Sequence, residues 1–199
     1  MATWLVVGLG NPGPAYASHR HNVGVMVAHE IARRGSAAWK PRRLLKADVA
    51  EVRVSLAGVN QPAITAERVI LATTRTYMND SGIPVRNLVG DLRLKPDHLI
   101  VVHDELDLDL GQLRAKSGGG DNGHNGLKSI RALAGTGEFY RVRVGIGRPP
   151  GRMEVTDWVL TGFRAAEKDQ LHDMVVKAAD AVQSLILDGL EPTQSRYNS

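Results

Sequence analysis

The sequence predicts a single α/β domain, residues 1–199, with a central mixed, largely parallel, twisted sheet flanked by helices on both faces. Short apolar segments alternate with segments of helical periodicity along the chain, and no repeat or linker divides it. The chain has 199 residues, of which 43% are hydrophobic. This is enough to bury a substantial core within one domain.

The predicted strands are apolar runs bounded by turn residues. Residues 3–9 and 98–104 are continuous apolar runs, which is typical of strands buried on both faces. Residues 140–147 alternate between apolar and polar types, which predicts a strand with one polar face. Residues 47–54 and 67–73 are separated by the turn-like segment AGVNQP, which predicts a hairpin-like pair.

The predicted helices follow from apolar positions spaced three or four residues apart. Residues 22–34 carry such a stripe, and Asn22 is expected to be the N-cap of this helix. A long glycine-rich loop is expected over residues 118–126. The other predicted helices cover residues 79–92, 126–134 and 165–190.

Composition narrows the classes of function. The chain contains no cysteine, which excludes disulfides, thiol nucleophiles and cysteine-based zinc sites. No apolar run approaches the roughly 20 residues of a membrane span, and the first residues lack a signal-peptide pattern, so a cytoplasmic protein is expected. The net charge is +4, with basic clusters in residues 33–46 and 114–152. Such clusters fit a phosphate-rich partner or a solvated basic face, and charge alone does not decide between them.

The segment GLGNPG, residues 8–13, has the G-x-G-x-x-G spacing of a dinucleotide-binding turn. A dinucleotide site also needs a helix that starts at the turn and an acidic residue about 20 positions further along. The chain shows no helical stripe before Val23 and no acid in the segment ARRGSAAWKPRR. We therefore expect a tight turn in which Gly10 and Gly13 adopt positive φ.

Several polar residues follow the predicted strands, where ligands of open α/β sheets bind. Each group follows a different strand or lies in the glycine-rich loop. In chain order they are Asn11, Tyr16, His19, His21 and Asn22; Tyr77, Met78 and Asn79; His103, Asp104 and Glu105; and Asn122, His124 and Asn125.

This set favours a histidine base that acts on water. No G-x-S-x-G motif is present, and a metal site is conceivable from the histidines and Asp104 although no metal-binding spacing occurs. Imidazole titrates near neutral pH, and an aspartate on its second nitrogen fixes the tautomer. Asparagine amides can stabilise an oxyanion or recognise a substrate amide. This chemistry requires no cofactor.

The chain resembles the bacterial peptidyl-tRNA hydrolases. The resemblance extends in order over residues 6–149, and the C-terminal helix also fits. It is carried by VVGLGNPGPAYASHRHNVG (6–24), TRTYMNDSG (74–82), VVHDELDLDLGQLRAKSGGGDNGHNGLKSI (101–130) and FYRVRVGIGRP (139–149). One departure lies at Asp121 and Asn122, where relatives often have small or histidine residues.

The resemblance implies a monomeric, cytoplasmic, metal-independent enzyme without cofactors. It would hydrolyse the ester between an N-blocked peptide and the 3′-terminal ribose of tRNA, and so recycle tRNA from prematurely released peptidyl-tRNA. By motif position, His21 would be the general base, Asp104 its orienting partner, and Asn11 the residue that recognises a blocked amino group. The residues that would contact the peptide or the tRNA 3′ end are Tyr16, Tyr77, Met78, Asn79 and Asn125, and those that would bind the tRNA 5′-phosphate are Lys116 and Arg143.

Two other classes of function are weighed against this one. A non-catalytic RNA-binding module would use the basic segments but would not need His21 and Asp104. A nucleotide-dependent oxidoreductase would need the ribose-binding acid that the chain lacks.

Overall fold

A computed structural model describes residues 2–198. Within this range the chain forms one eight-stranded sheet and six α-helices. The strands are β1 (Thr3–Gly8), β2 (Lys40–Arg42), β3 (Ala47–Ser55), β4 (Gly58–Val59), β5 (Glu67–Thr74), β6 (Leu99–Glu105), β7 (Leu113–Ser117) and β8 (Tyr140–Gly145). The helices are α1 (Val23–Arg34), α2 (Gly82–Leu92), α3 (Asn125–Ala134), α4 (Val155–Val159), α5 (Lys168–Leu187) and α6 (Leu190–Tyr197).

The sheet is mixed, with a parallel centre. Its order is β2-β3-β5-β1-β6-β8-β7, and β4 pairs with β3 outside this path. Strands β5, β1, β6 and β8 are parallel, whereas β2, β3, β4 and β7 join by antiparallel pairing. The predicted fold class is therefore confirmed, including the hairpin-like pairing of β3 with β5. The parallel centre brings the carboxyl ends of β5, β1, β6 and β8 to one edge.

Helices cover both faces of the sheet and create two apolar cores. Successive residues of β1 alternate between them, because side chains along a strand point to opposite faces. Val6 packs in the core under α1 and α5, whereas Leu5 and Val7 pack in the core under α2 and α3. None of the helices between residues 2 and 198 combines the length and apolarity needed to cross a bilayer.

Helix α1 lies unusually close to β1 and β6. A Cβ atom added to Gly24 would lie 2.2 Å from the carbonyl oxygen of Val102, and one added to Gly8 would lie 2.3 Å from the carbonyl oxygen of Gly24. Any larger residue would push the helix away from the sheet. These two glycines therefore allow the start of α1 to lie directly against β1 and β6. A 3₁₀ turn of residues Arg20–Asn22 immediately precedes the helix.

Several elements differ from the sequence-based expectation. The short elements β2, β4, β7, α4 and α6 were not predicted. The helix predicted over residues 165–190 consists of a 3₁₀ turn followed by α5, and the chain turns at Gly189, which has φ of 86°. Helix α6 then packs on β7 at the sheet edge. The glycine-rich loop predicted over residues 118–126 is irregular as expected, except that α3 already begins at Asn125.

The outer edge of β7 is closed by side chains from the end of α6. The carboxamide of Asn198 accepts a hydrogen bond from the backbone N–H of Ala115 at 2.7 Å and donates one to its carbonyl at 3.2 Å. Gln194 donates to the same carbonyl at 3.0 Å. The backbone groups of Ala115 that would otherwise face outward are thus hydrogen-bonded.

Candidate active site

The turn after β1 is held in place by Asn22. The Asn22 side chain accepts from the backbone N–H of Asn11 at 3.0 Å and donates to the Asn11 carbonyl at 2.9 Å. Asn22 occupies the N-cap position of α1, as predicted, but its side chain makes no capping hydrogen bond and is used by this pairing instead. No local sequence pattern predicts the pairing of Asn22 with Asn11, since the two residues are 11 positions apart.

The two glycines of this turn have different roles. Gly13 has φ of 98°, as predicted, whereas Gly10 is not in the positive-φ region and that part of the prediction is wrong. A Cβ atom on Gly10 would lie 2.8 Å from the Asn22 amide nitrogen. Gly10 is therefore needed for space, because it lets Asn22 reach the backbone of Asn11.

The side chain of Asn11 has a defined orientation. Its Oδ1 accepts a hydrogen bond from the backbone N–H of Met78 at 2.8 Å. A backbone N–H can only donate, so the other terminal atom of Asn11 must be the NH₂ group. No hydrogen-bond partner for this NH₂ group is found within residues 2–198. Asn11 therefore presents a donor to the space in front of the turn.

His21 and Asp104 form a hydrogen-bonded pair at the carboxyl end of β6. The Nδ1 atom of His21 lies 2.9 Å from each oxygen of the Asp104 carboxylate. His21 is 9% exposed and Asp104 is 3% exposed. Because an ionised carboxylate only accepts, Nδ1 carries the proton and Nε2 carries a lone pair. In the described part of the chain, Nε2 has no hydrogen-bond partner, and so it is free to accept a proton.

A second imidazole, that of His124, binds the same carboxylate. Its Nε2 donates to Asp104 at 2.8 Å, while its Nδ1 accepts from the backbone N–H of Leu127 and so caps α3. This cap fixes the proton of His124 on the nitrogen that faces Asp104. The sequence places His124 at the same edge of the sheet but does not indicate that it shares a carboxylate with His21.

The ligand atoms of His21, Asp104 and His124 lie within 4.8 Å of one another. A metal ion at this position would need lone pairs on Nδ1 of His21 and on Nε2 of His124. In the observed arrangement both atoms donate protons to Asp104. The hydrogen bonds to Asp104 account for these short distances.

The carboxylate of Asp104 is kept ionised by its neighbours. Burial by itself raises its pKa, but the charges and hydrogen bonds of His124 and His21 lower the pKa by more, to below the ordinary range. Burial also acts on His103, which precedes Asp104. Together with a smaller effect of His124, it lowers the pKa of His103 to about 3. His103 is thus a neutral, buried group beside a charged one.

A small pocket opens in front of this pair. We call it the catalytic pocket; its volume is about 100 Å³ and its lining includes His21, Asp104, His124, Asn125 and, from α4, Val155, Thr156 and Val159. Of the predicted substrate residues, Asn125 lines this pocket, whereas Tyr16, Tyr77, Met78 and Asn79 are not among its lining residues. Asn79 and Asn125 are exposed, and Met78 is buried beneath the turn. Tyr16 is half-buried and lies edge-on to Tyr77, which is 59% exposed, with ring centroids 5.9 Å apart.

Lys116 and Arg143 line a second pocket, which we call the cationic pocket. It has a volume of about 320 Å³. Its lining residues are His103, Glu105, Asp107, Lys116, Gly120, Asn122, Leu127, Arg141 and Arg143. Arg143 donates to the buried carboxylate of Glu105 at 3.0 Å. Burial, and then the charges of Arg141 and Arg143, lower the pKa of Lys116. An anion in this pocket would relieve that repulsion.

Asp121 and Asn122, at which the chain departs from the family pattern it resembles, are accommodated inside the glycine-rich loop. Asp121 accepts from the N–H of Gly123 at 3.1 Å and from Arg131 at 2.8 Å, and these contacts lower its pKa. Asn122 donates to Glu105 at 3.1 Å and to Asp107 at 2.9 Å. The negative charge of Asp121 is therefore balanced locally.

A larger cavity of about 630 Å³ is lined by Asn11, the turn residues that follow it and residues of α1. Its lining does not include His21 or Asp104. Two of the carboxylates that line it are already paired, Glu30 with Arg33 and Arg34, and Asp48 with Arg75. The His21–Asp104 pair therefore belongs to a different pocket from this cavity.

Comparisons with known proteins agree on one family. The model of the family described as peptidyl-tRNA hydrolase matches residues 5–199. The chain is 53% identical to a peptidyl-tRNA hydrolase of Cutibacterium acnes, with 99% of this chain and 98% of the relative covered. It is 52% identical to one of Streptomyces coelicolor, with 100% and 96% covered. A crystal structure of peptidyl-tRNA hydrolase from Acinetobacter baumannii superimposes with a TM-score of 0.86 at 30% identity, covering 99% and 95% of the two chains.

Proposed function

Since the chain belongs to the peptidyl-tRNA hydrolase family, we propose that His21 activates the water that cleaves its substrate ester. The activity of the chain is hydrolysis of peptidyl-tRNA. The observation that carries the proposal is the His21–Asp104 pair, in which Nδ1 is bound to the carboxylate at 2.9 Å and Nε2 is left free. A base held in this way has its lone pair on the nitrogen that must receive the proton.

The reaction divides into two steps. Nε2 of His21 takes a proton from water as the oxygen attacks the ester carbonyl, which forms a tetrahedral oxyanion. Asp104 stabilises the imidazolium that results, and its own proton affinity stays low because it is held by two imidazoles. When the intermediate collapses, the carbon–oxygen bond to the ribose breaks, and His21 returns its proton to the departing ribose oxygen. The products are a free peptide carboxylic acid and a tRNA 3′ end.

We propose that amide side chains around the catalytic pocket bind the oxyanion and the peptide. Asn125 lines the catalytic pocket and Asn79 is an exposed side chain next to Met78, and a carboxamide NH₂ can donate to a developing oxyanion. Asn11 presents an NH₂ group, which suits a peptide carbonyl and offers nothing to a free ammonium group. Tyr16, Tyr77 and Met78 provide the apolar wall for the peptide.

We assign a tRNA phosphate to the cationic pocket. Lys116 and Arg143 lie on the same face of the β7–β8 pair, because Lys116 is opposite Arg141 and Arg143 follows Arg141 by two residues. Burial and then the charges of Arg141 and Arg143 lower the pKa of Lys116, and a phosphate between Lys116 and Arg143 would offset both effects.

The remaining parts of the proposal concern the state of the protein. We propose that residues 1–199 act as one catalytic domain, as a monomer in the cytoplasm and without metal or cofactor. Sedimentation at assay concentration tests the monomer, and the chelator arm of the assay below tests the metal.

The decisive experiment compares N-acetyl-aminoacyl-tRNA with the unblocked aminoacyl-tRNA as substrates for wild-type protein and for His21→Ala. We expect wild type to release the blocked group selectively, and His21→Ala to lose about 10²- to 10⁴-fold in kcat. Excess chelator should leave the wild-type rate unchanged. A His21→Ala variant of normal rate would overturn the assignment of the base, and inhibition by chelator would overturn metal independence.

A further inference from the structure

Arg20, the residue before the proposed base, is a fully buried cation. It is 1% exposed, in the 3₁₀ turn that also contains His21. Its backbone N–H donates to the carbonyl of Thr161 at 2.9 Å. The preceding residue, His19, forms an isolated antiparallel bridge with Gly162. The backbone that carries His21 is therefore joined to a segment about 140 residues further along the chain.

The side chain of Arg20 makes this connection specific. Its Nε donates to Thr161 Oγ1 at 3.2 Å, and Nη2 donates to Glu167 at 2.7 Å. The guanidinium carbon lies 3.8 Å from the centroid of the Trp158 ring and 4.7 Å from that of Phe163. Trp158 is itself anchored, because its indole N–H donates to the carbonyl of Gly147 at 2.8 Å.

The same segment forms part of the catalytic pocket. Helix α4 supplies the lining residues Val155, Thr156 and Val159 and also Trp158, and the residues that follow it supply the other partners of Arg20, which are Thr161, Phe163 and Glu167. A movement of Arg20 would therefore change the direction of His21 and the position of the pocket wall together. The geometry of a base relative to its water is a sensitive quantity, since a displacement of about 1 Å can reduce a rate by about 10²-fold.

Stability alone does not explain a cation at this position. Burying a guanidinium carries a desolvation penalty that a single carboxylate repays only partly, and an apolar residue of similar volume is often at least as stable. Here the Nη1 atom is buried without a partner in residues 2–198, so the penalty is not fully compensated. What the guanidinium adds is direction, because a planar group with fixed donors sets one orientation of the turn.

We propose that Arg20 is a positioning residue, which holds His21 in its orientation toward Asp104 and ties it to the α4 wall of the catalytic pocket. The inference rests on the proposed role of His21 as the base. Arg20 does not contact the substrate in this scheme, so its loss should lower kcat and leave KM nearly unchanged.

The test is Arg20→Lys, which keeps the charge but cannot bind Thr161 and Glu167 in one plane. We expect kcat for N-acetyl-aminoacyl-tRNA to fall by about 10²-fold, with KM within about threefold of wild type. Imidazole NMR of the ¹⁵N-labelled protein should show a weakened His21 Nδ1–H hydrogen bond. Thr161→Val serves as a second variant if Arg20→Lys does not fold, and it should lower kcat in the same direction.

The matched control is Arg34→Lys. Arg34 joins α1 to α5 through Asp180 at 2.6 Å and also binds Glu30 at 2.9 Å, at the end of α1 away from His21. We expect it to lose thermal stability without loss of kcat. Wild-type kcat in folded Arg20→Lys, or an equal kcat loss in Arg34→Lys at equal loss of stability, would overturn the proposal. If His21→Ala is also active, the base assignment itself fails, which distinguishes the two errors.

Discussion

The catalytic pocket and the cationic pocket use consecutive residues of β6, yet they are held by different interactions. Asp104 and Glu105 alternate across the strand, so Asp104 binds the imidazoles of His21 and His124 while Glu105 binds Arg143. The first pocket is organised by hydrogen bonds that fix proton positions. The second collects the positive charges of Lys116, Arg141 and Arg143, which the carboxylates of Glu105 and Asp107 balance only in part.

We propose that this difference separates two tasks of the enzyme. Hydrogen bonds within a buried cluster are directional and respond little to salt, which suits a step that depends on one proton. Charges in a larger, open pocket act over a longer range and weaken with ionic strength, which suits the capture of a polyanion. Substitutions in the first pocket should therefore change kcat, and those in the second should change KM and its salt dependence.

The largest expected effect is that of Asp104→Asn. The substitution removes the negative charge and replaces one carboxylate oxygen beside the imidazoles with an NH₂ donor, so the tautomer of His21 is no longer fixed and its imidazolium is no longer stabilised. We expect kcat to fall by about 10²- to 10⁴-fold with tRNA affinity retained. Single-turnover hydrolysis together with filter binding measures both quantities. Asp91→Asn, at the far end of α2, is the control, and an Asp104→Asn rate within threefold of wild type would contradict this division of tasks.

A smaller effect is expected for Lys116→Gln. Lys116 has no hydrogen-bond partner in the described residues, so the substitution removes a charge without leaving a buried acid unpaired. We expect KM to rise by about 10-fold, the value for one charge-assisted contact, while kcat stays constant. The slope of log KM against log salt concentration should fall by about one. Lys95→Gln, just before the amino end of β6, should change neither KM nor its salt dependence. A change of kcat in Lys116→Gln would contradict the division of tasks between the two pockets.

Asn11→Asp sharpens the comparison from the side of the peptide. A carboxylate can still accept from the N–H of Met78, but it cannot donate to a peptide carbonyl and it attracts a free ammonium group. We expect the ratio of rates for N-acetylated over unblocked aminoacyl-tRNA to fall by about 10-fold or more, which is the value of one lost donor. Parallel assays of the two substrates measure the ratio. An unchanged ratio, with Asn87→Asp as the reference, would remove Asn11 from substrate selection.

The smallest effect on activity, but a measurable one on stability, is expected for His103. Its folded-state pKa of about 3 lies below the ordinary value of 6.5, so the unfolded chain binds a proton that the folded chain does not. The stabilisation from neutral His103 is thus complete above pH 6.5 and is lost as pH falls toward 3, with a slope of about 1.4 kcal/mol per pH unit. Urea unfolding between pH 7 and pH 4 should show a flatter dependence for His103→Gln. A slope equal to wild type would contradict the low pKa.

Much of the fold could be predicted because it depends on local patterns. The buried strands β1 and β6 were identified from their continuous apolar runs, and α1 and α5 from apolar stripes of helical period. Strand β7 was missed because its five residues are stable only as the antiparallel partner of β8. Helix α4 was missed for a similar reason, since five residues are too few for a periodic signal and its role comes from packing near the His21 turn.

The candidate site was predictable in its members and less so in its connections. The resemblance named His21, Asp104 and Asn11, and the structure brings the first two into contact. The pairing of Asn22 with the Asn11 backbone and the contacts of Arg20 with residues 158–167 join segments that are distant in sequence. Such contacts leave no periodic trace, because they depend on how the sheet edge gathers the loops.

The amide groups that close β7 have a further consequence. An open strand edge is a template on which another molecule can add a strand, and this is a common route to fibrous aggregates. Asn198 and Gln194 occupy the outward N–H and C=O of Ala115, so that this rung is taken. At the opposite end of the sheet, β2 consists of Lys40, Pro41 and Arg42, and its proline lacks an N–H while its neighbours are charged. Both ends of the sheet thus carry features that disfavour growth by strand addition.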